Sequence, residues 1–400
     1  MGNNKKVFIR AYGCKLSQYE AQQIREFLTA DGYNLVQNIN QANILVISSC
    51  TVTIAADNEC LRLINKTFKE NPNIEIYLAG CYAKKAKENH NFPKEVKLFD
   101  EYFPQIKELN KNITSFDGHT RAFIKVQDGC DNFCTYCIVP FVRSKLTSKP
   151  IESVLSEVSD LVKNGYPEIV LSGVRLGKYA GGLEKLLNAL SKLPGNFLVR
   201  LSSLEVTDVS PQLLNIIAKN TNRFCQHFHL PLQSGSDTIL KRMNRRYNSK
   251  EFINKIVEIR AQLSDVSITS DVIVGFPGET QENFEQTLNV VNNVAFSRLH
   301  VFTYSKRPGT AATSFSNSVP VEVAKKRYVK LKEVGKTLSE LYWQGFVGKV
   351  LPAVFEEDNY FLTTNYIKAL NIGPVVQGKG PFNVLIGEQN GIVVASCLAV

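Results

Sequence analysis

Six of the nine cysteines in this 400-residue chain fall into two sets of three. The tighter set, Cys130, Cys134 and Cys137, sits in Asp-Gly-Cys-Asp-Asn-Phe-Cys-Thr-Tyr-Cys, so three thiolates share one short loop. Three clustered thiolates suit an iron–sulfur cube, whose irons ordinarily take four cysteines. With no fourth ligand nearby, one iron stays open and can chelate a small molecule. The alternative is zinc, but structural zinc prefers four closed nitrogen or sulfur ligands, and no histidine is close to this loop. The wider set is Cys14, Cys50 and Cys81. An odd number of cysteines without a disulfide pattern points to metal or redox use in a reducing compartment. Cys60, Cys225 and Cys397 read as buried thiols.

The elements that position these groups alternate between strand and helix. Lys6 to Ala11 has a strand pattern and leads to Cys14; the apolar run Ile44 to Ile47 leads to Cys50; Ile74 to Ala79 leads to Cys81. Continuous apolar runs are typical of parallel strands buried on both faces. Ligands of open parallel sheets bind at the carboxyl ends of the strands. If the three strands are neighbours, Cys14, Cys50 and Cys81 converge on one edge and can hold a second cluster with an open iron. Gly13 and Gly80 stand beside two of them. A helix is expected from Ser17 to Ala30, capped by Ser17 with Glu20 three residues on. Residues 1–115 form the first domain on this reading.

A second series follows, with strands expected at Ala122 to Gln127, Glu168 to Ser172, Phe197 to Ser202, Cys225 to Leu230, Ser267 to Val274 and Leu299 to Tyr304. Helical patterns fill the gaps: Ile151 to Asn164, Leu183 to Leu193, Pro211 to Lys219, Lys250 to Leu263 and Thr280 to Asn293. Six βα units are too few for a closed eight-stranded barrel and imply an open one over residues 116–344. The Cys130 loop follows its first strand, at the end where a site belongs. On the fourth strand, Cys225, His227, His229 and Gln233 share one face if the strand runs unbroken. That polar face should point inward as a hydrogen-bonded network, with metal ligation by the His-x-His pair as the alternative. Residues 321 to 345 read as a connecting helix, and 345–400 as a small β-barrel with glycine punctuation.

The net charge of +10 fits a polyanionic partner. It is concentrated in Lys241-Arg242-Met243-Asn244-Arg245-Arg246, and in Lys325, Lys326, Arg327, Lys330, Lys332 and Lys336, where RNA contact competes with a plainly solvated helix face. No apolar run approaches the roughly 18 residues of a membrane span and no leader is evident, so a cytoplasmic protein without membrane attachment is expected.

The Cys-x3-Cys-x2-Cys spacing resembles that of the radical S-adenosylmethionine (SAM) enzymes, in which the SAM amino and carboxylate groups fill the open iron. One-electron reduction of the sulfonium then gives methionine and a carbon radical able to abstract hydrogen. Polar groups at the strand ends are the candidates to hold SAM: Ser172 and Gly173, Ser203 and Glu205, Gln233, and Asp271 beside Gly275. Glu205 and Gln233 are foremost.

Over nearly its whole length the chain resembles the radical SAM methylthiotransferases. The motifs are Tyr-Gly-Cys14-Lys-Leu-Ser-Gln-Tyr-Glu, Ser-Cys50-Thr-Val-Thr, Ala-Gly-Cys81-Tyr-Ala, the radical loop, Leu-Pro-Leu-Gln-Ser-Gly-Ser236, Lys-Arg-Met-Asn-Arg-Arg246, Asp271-Val-Ile-Val-Gly-Phe-Pro-Gly-Glu279 and Thr303-Tyr-Ser-Lys-Arg-Pro-Gly309. The resemblance implies an α/β architecture: a flavodoxin-like N-terminal parallel-sheet domain, a central open (βα)6 radical SAM barrel and a C-terminal TRAM-like β-barrel that binds substrate. It implies two [4Fe-4S] clusters, an auxiliary one on Cys14, Cys50 and Cys81 and a catalytic one on Cys130, Cys134 and Cys137. One SAM methylates a sulfur associated with the auxiliary cluster, a second yields the deoxyadenosyl radical, and the methylthio group enters at a C–H bond of the substrate.

Gly-Cys14-Lys, Cys50-Thr-Val-Thr and Asp-Gly-Cys130 are similar to the subgroup that acts on N6-threonylcarbamoyladenosine beside the tRNA anticodon, giving its 2-methylthio derivative. Implied partners are the tRNA anticodon loop and an external low-potential electron donor, with the protein a monomer. The alternatives are an isopentenyladenosine tRNA or a ribosomal protein as substrate and, outside catalysis, a zinc-bearing RNA-binding protein. Within the C-terminal barrel, Gly348-Lys-Val and Asn365-Tyr-Ile-Lys resemble the TRAM pattern, although the barrel is poor in basic residues.

Overall fold

A computed structural model describes residues 5–89, 93, 95–107, 112–374, 376 and 378–398. The strands Lys6–Ala11, Ile44–Ser49 and Glu75–Ala79 lie side by side and parallel, with Ala11 opposite Ser48 and Ser48 opposite Ala79. Their carboxyl ends are therefore level, and the three chains leave the sheet at one edge. Short strands Asn34–Leu35 and Lys97–Leu98 extend the sheet to five, in the order 2-1-3-4-5. This is the doubly wound order of flavodoxin. Every residue of Ile44–Ser49 is buried, as its continuous apolar run predicts for a central parallel strand.

The first helix departs from expectation. It runs Lys15–Ala30, with Cys14 at its N-cap and no side-chain cap. Ser17 is buried inside it, its hydroxyl 3.7 Å from Cys14 Sγ. The strand–helix link is only Tyr12-Gly13-Cys14, so the helix must start before Ser17 can cap it. Glu20 turns to the central domain instead of back to the helix start.

Six parallel strands form the central domain: Arg121–Asp128, Glu168–Gly173, Leu198–Leu201, His227–His229, Ser267–Val274 and Arg298–Thr303. Single bridges Val199 to Phe224 and Ser203 to His229 join the first three to the last three. An antiparallel strand, Thr147–Ser148, sits on the outer edge of the first. The helices Ile151–Lys163, Leu183–Ser191, Pro211–Lys219, Ser249–Gln262 and Gln281–Val294 follow the sequence pattern to within two residues. Local chemistry sets their starts: Ser210 accepts from Leu213 N, and capping boxes form between Asn248 and Glu251 and between Thr280 and Asn283.

The fourth strand is shorter than the periodicity implies. Cys225 lies outside it, packed with Leu198, Val354 and Leu362. Gln233 has φ +63° and its N–H bonds Asp271 O, so the polar face breaks before reaching it.

The helix Val321–Gln344 packs along the last strand and leads to a closed five-stranded barrel, Val350–Glu356, Tyr360–Thr363, Lys368–Asn371, Phe382–Gln389 and Ile392–Cys397. Arg200, 2% exposed, joins this barrel to the central domain. It pairs with both oxygens of Glu168 at 2.8 Å and donates to the carbonyls of Thr363 and Thr364 at 3.0 and 3.1 Å. Cys60 and Cys225 are buried as expected, while Cys397 is only half-buried. Among the described residues no helix is long and apolar enough to cross a membrane.

Candidate active site

The level strand ends bring Cys14, Cys50 and Cys81 together. Gly13 has φ +104°, and a Cβ there would lie 2.3 Å from Cys50 Cβ; a Cβ on Gly80, at φ +84°, would lie 2.5 Å from Ser49 O. Only glycine permits both the backbone and the approach. The thiols are close enough to perturb one another. A hydrogen bond from Cys50 pulls the Cys14 thiol well down against its burial, helped by Ser17 and the charge of Arg143. The same bond, together with burial, pushes Cys50 up. The shared proton leaves Cys14 the easier of the two thiols to ionise, and the thiolate is the form that ligates metal. Arg143 Nε donates to Cys81 Sγ at 2.9 Å.

Cys130, Cys134 and Cys137 follow the first strand of the central barrel. The loop is braced on several sides. Cys130 N donates to Arg143 O at 3.2 Å, Thr135 N to Met243 O at 3.1 Å, Thr135 Oγ1 to Arg242 O at 2.8 Å and Asn244 Nδ2 to Phe133 O at 3.1 Å. Arg245 Nη1 reaches Cys134 Sγ at 3.4 Å, and its Nη2 pairs with Glu205. The run Lys241 to Arg246 is therefore not an RNA-facing patch as a whole. Its middle supports the cysteine loop, and Lys241, Asn244 and Arg246 are its exposed members. In the second basic stretch Arg327 is buried against Glu279, while Lys325, Lys326, Lys330, Lys332 and Lys336 are exposed. Burial pushes the Cys137 thiol up to about 12, so a bound cation must supply what deprotonates it. Each triad offers three sulfurs, one of them met by an arginine donor, and this fits a cluster that needs three thiolates and hydrogen bonds to sulfur.

Between the three domains lies a cavity of about 710 Å³. Cys14, Lys15 and Cys50 line it from the N-terminal sheet; Ser172, Gly173, Ser202, Ser203, His227, His229, Asp271 and His300 from the barrel interior; Tyr366 from the C-terminal barrel. Four of the expected SAM contacts, Ser172, Gly173, Ser203 and Asp271, thus share one cavity. Glu205 lies beside Cys134 in a smaller recess with Asn132, Arg175 and Arg245. Gln233 is not among the residues lining the large cavity.

The inward polar network expected of the fourth strand is present in its histidines. His227 Nε2 and His229 Nδ1 both meet Thr269 Oγ1 at 2.9 Å, and Asp271 lies 3.3 Å from His229 and 3.3 Å from His300. Burial drives His227 well below the ordinary histidine range, so it is neutral. Burial raises Asp271, but the hydrogen bonds from His229 and His300 outweigh it and hold it well below the carboxylate range. Ser202 Oγ and His227 Nδ1 are buried with no hydrogen-bond partner among the described residues, although both residues line the cavity. Such atoms call for a ligand or water.

Three participants were not read from the sequence: Arg143 as a link between the cysteine sites, His300 as a partner of Asp271, and Tyr366, which stacks on His227 at 4.2 Å. Arg143 lies six residues after Cys137, a proximity that could have drawn attention to it. Tyr366 lies in the Asn365-Tyr-Ile-Lys motif, but nothing in that motif points to His227.

Fold and site together define a radical SAM enzyme. Residues 124–291 match the Radical SAM superfamily, and residues 6–99 match an uncharacterized protein family, UPF0004. A threonylcarbamoyladenosine tRNA methylthiotransferase, MtaB, of Thermotoga maritima is 39% identical over 371 residues, covering 86% of this chain and 85% of that protein. A tRNA-2-methylthio-N(6)-dimethylallyladenosine synthase of Desulfitobacterium hafniense is 34% identical over 387 residues, covering 88% and 86%. The solved radical SAM methyltransferase TsrM from Kitasatospora setae shares the fold, with a TM-score of 0.57 and 9% identity over 81% of this chain and 78% of that one. The chain belongs to the radical SAM methylthiotransferase family, whose members use SAM and [4Fe-4S] clusters.

Proposed function

We propose that this enzyme inserts a methylthio group at C2 of N6-threonylcarbamoyladenosine beside the tRNA anticodon. The observation that carries the reading is the shared cavity: Cys14 and Cys50 form one wall, the barrel interior another, and Tyr366 of the C-terminal barrel closes it. A substrate seated there faces the N-terminal cysteines and the radical-generating end of the barrel together. Relatives with both threonylcarbamoyl and dimethylallyl substrates align over most of the chain; the higher identity of the first supports the threonylcarbamoyl substrate.

On this proposal Cys130, Cys134 and Cys137 hold the SAM cluster and Cys14, Cys50 and Cys81 the auxiliary one. When bound, the clusters supply the electron that cleaves SAM and a seat for the sulfur that is transferred. The chain's own residues do the positioning. Arg245 and Arg143 donate to the cysteine sulfurs, Glu205 and Arg175 frame the recess beside Cys134, and Ser172, Gly173 and Asp271 offer polar contacts from the strand ends. The unpartnered Ser202 Oγ and His227 Nδ1 are free to bond a ligand in the cavity. The protein on this reading is a cytoplasmic monomer that draws electrons from an external low-potential donor and binds the anticodon loop.

The test is mass spectrometry of nucleosides from total tRNA of cells with and without the gene. Loss of 2-methylthio-N6-threonylcarbamoyladenosine with accumulation of its precursor is expected. Loss of the dimethylallyl product, or a change only in a ribosomal protein, would replace the substrate. Cys134→Ala should abolish SAM cleavage, whereas Cys50→Ala should spare cleavage and stop sulfur insertion.

A further inference from the structure

The charges that line the cavity are nearly all committed. Arg200 is taken by Glu168 and two carbonyls, and Arg121 by Glu356 at 2.7 Å and Glu168 at 3.4 Å. Asp271 is held between His229 and His300. Lys15 differs. It lines the cavity next to Cys14, is partly buried, and makes no hydrogen bond or ion pair among the described residues. A partly desolvated ammonium without a counter-ion attracts an anion from whatever enters.

We propose that Lys15 is a specificity-determining residue that binds the carboxylate of the substrate's N6-threonylcarbamoyl group. The proposal rests on the substrate reading above and deepens it. Its geometry follows from the purine. C2 and the N6 substituent flank N1 on the same edge of the base. A base whose C2 faced a sulfur held at the Cys14 and Cys50 wall would turn its N6 substituent toward that same wall, where Lys15 stands. A threonylcarbamoyl group carries a carboxylate there, and a dimethylallyl group carries only hydrocarbon. An ammonium rewards the first and is left unpaired by the second, so one residue both selects and rejects.

The experiment uses the reconstituted full-length enzyme and two anticodon stem-loop RNAs, one bearing N6-threonylcarbamoyladenosine and one bearing the same base with its carboxylate converted to the neutral primary amide. The readout is the ratio of kcat/KM for acid over amide, which cancels any general loss of cluster or fold in a variant. The wild-type enzyme should favour the acid by about 10- to 100-fold, the worth of a charge-assisted hydrogen bond. Lys15→Gln should bring the ratio to about 1, and Lys15→Arg should restore most of it.

Lys15→Gln that keeps the wild-type ratio overturns the assignment. So does an equal loss on both RNAs, the pattern expected if Lys15 held a backbone phosphate common to them. A wild-type enzyme that modifies both RNAs equally well rejects Lys15 while leaving the substrate reading intact. A wild-type enzyme that methylthiolates neither rejects the substrate reading and Lys15 with it.

Discussion

Replacing Arg143 by methionine should weaken the joint between the two cysteine sites by an amount that depends on pH. The guanidinium side chain is 5% exposed and bonds both oxygens of Glu20 at 2.8 Å, both of Asp128 at 2.9 and 2.8 Å, and Cys81 Sγ at 2.9 Å. Removing one partner of a buried ion pair costs about 3–5 kcal/mol. Glu20 and Asp128 remain 20% and 21% exposed, and Lys125 stays 2.8 and 3.3 Å from them, so the low end, about 3 kcal/mol, applies. In a cooperative unit of about 150–250 residues this lowers the melting temperature by about 6–12 °C.

Burial pushes both carboxyls up, but Lys125 and Arg143 outweigh it and hold Glu20 and Asp128 below the ordinary carboxylate range. Wild-type stabilisation from these groups is complete above their unfolded values, near 4.5 and 3.8, and is lost only as pH falls through the depressed ones. Without Arg143, burial is less opposed and the folded-state values rise, so protonation on acidification favours the folded variant. The gap between the two proteins is therefore widest near neutrality and narrows toward about pH 5. Scanning calorimetry of the anaerobic, reconstituted proteins at about pH 7.5 and about pH 5 checks both points. A variant that melts within about 2 °C of wild type, or a gap that ignores pH, would refute the reasoning. Arg143→Lys keeps the charge but not the planar fork and should fall between the two.

Gly13→Ala forces a Cβ to 2.3 Å from Cys50 Cβ at φ +104°, so Cys50 must move away from Cys14. Iron analysis should show the content falling from about eight to about four per chain, with SAM cleavage retained. In cluster-free protein, Cys14 should be alkylated at neutral pH well before Cys137, because its thiol is lowered by Cys50 while burial raises the other. Cys50→Ala removes that hydrogen bond and should move the onset of Cys14 alkylation to higher pH, as followed by mass spectrometry of peptides labelled across a pH series.

Much of this protein is local in origin and therefore readable along the chain. The apolar runs at Ile44–Ser49 and Glu75–Ala79 specify buried parallel strands, and like the alternating strand Lys6–Ala11 each is followed by a glycine or serine and a cysteine that puts a thiol at the carboxyl end of the sheet. Helical periodicity and capping residues set the helix bounds of the barrel, as at Asn248 and Thr280. Where a local rule failed, a neighbouring element had overridden it. Ser17 is a good cap by type, but the short link from the first strand starts the helix before it. The His227 face breaks before Gln233 because the chain there turns to bond Asp271.

The second half of the site belongs to tertiary structure. Arg143 meets Glu20 across 123 positions, and Arg307 meets Thr51 across 256. Tyr366 stacks on His227 from another domain. Such contacts leave no periodic trace, since they depend on how finished domains dock. For Lys15 the sequence offers the Gly-Cys14-Lys motif but not the residue's place on the cavity wall. Only closure of the three domains around one cavity leaves its charge without a partner, and gives it work to do.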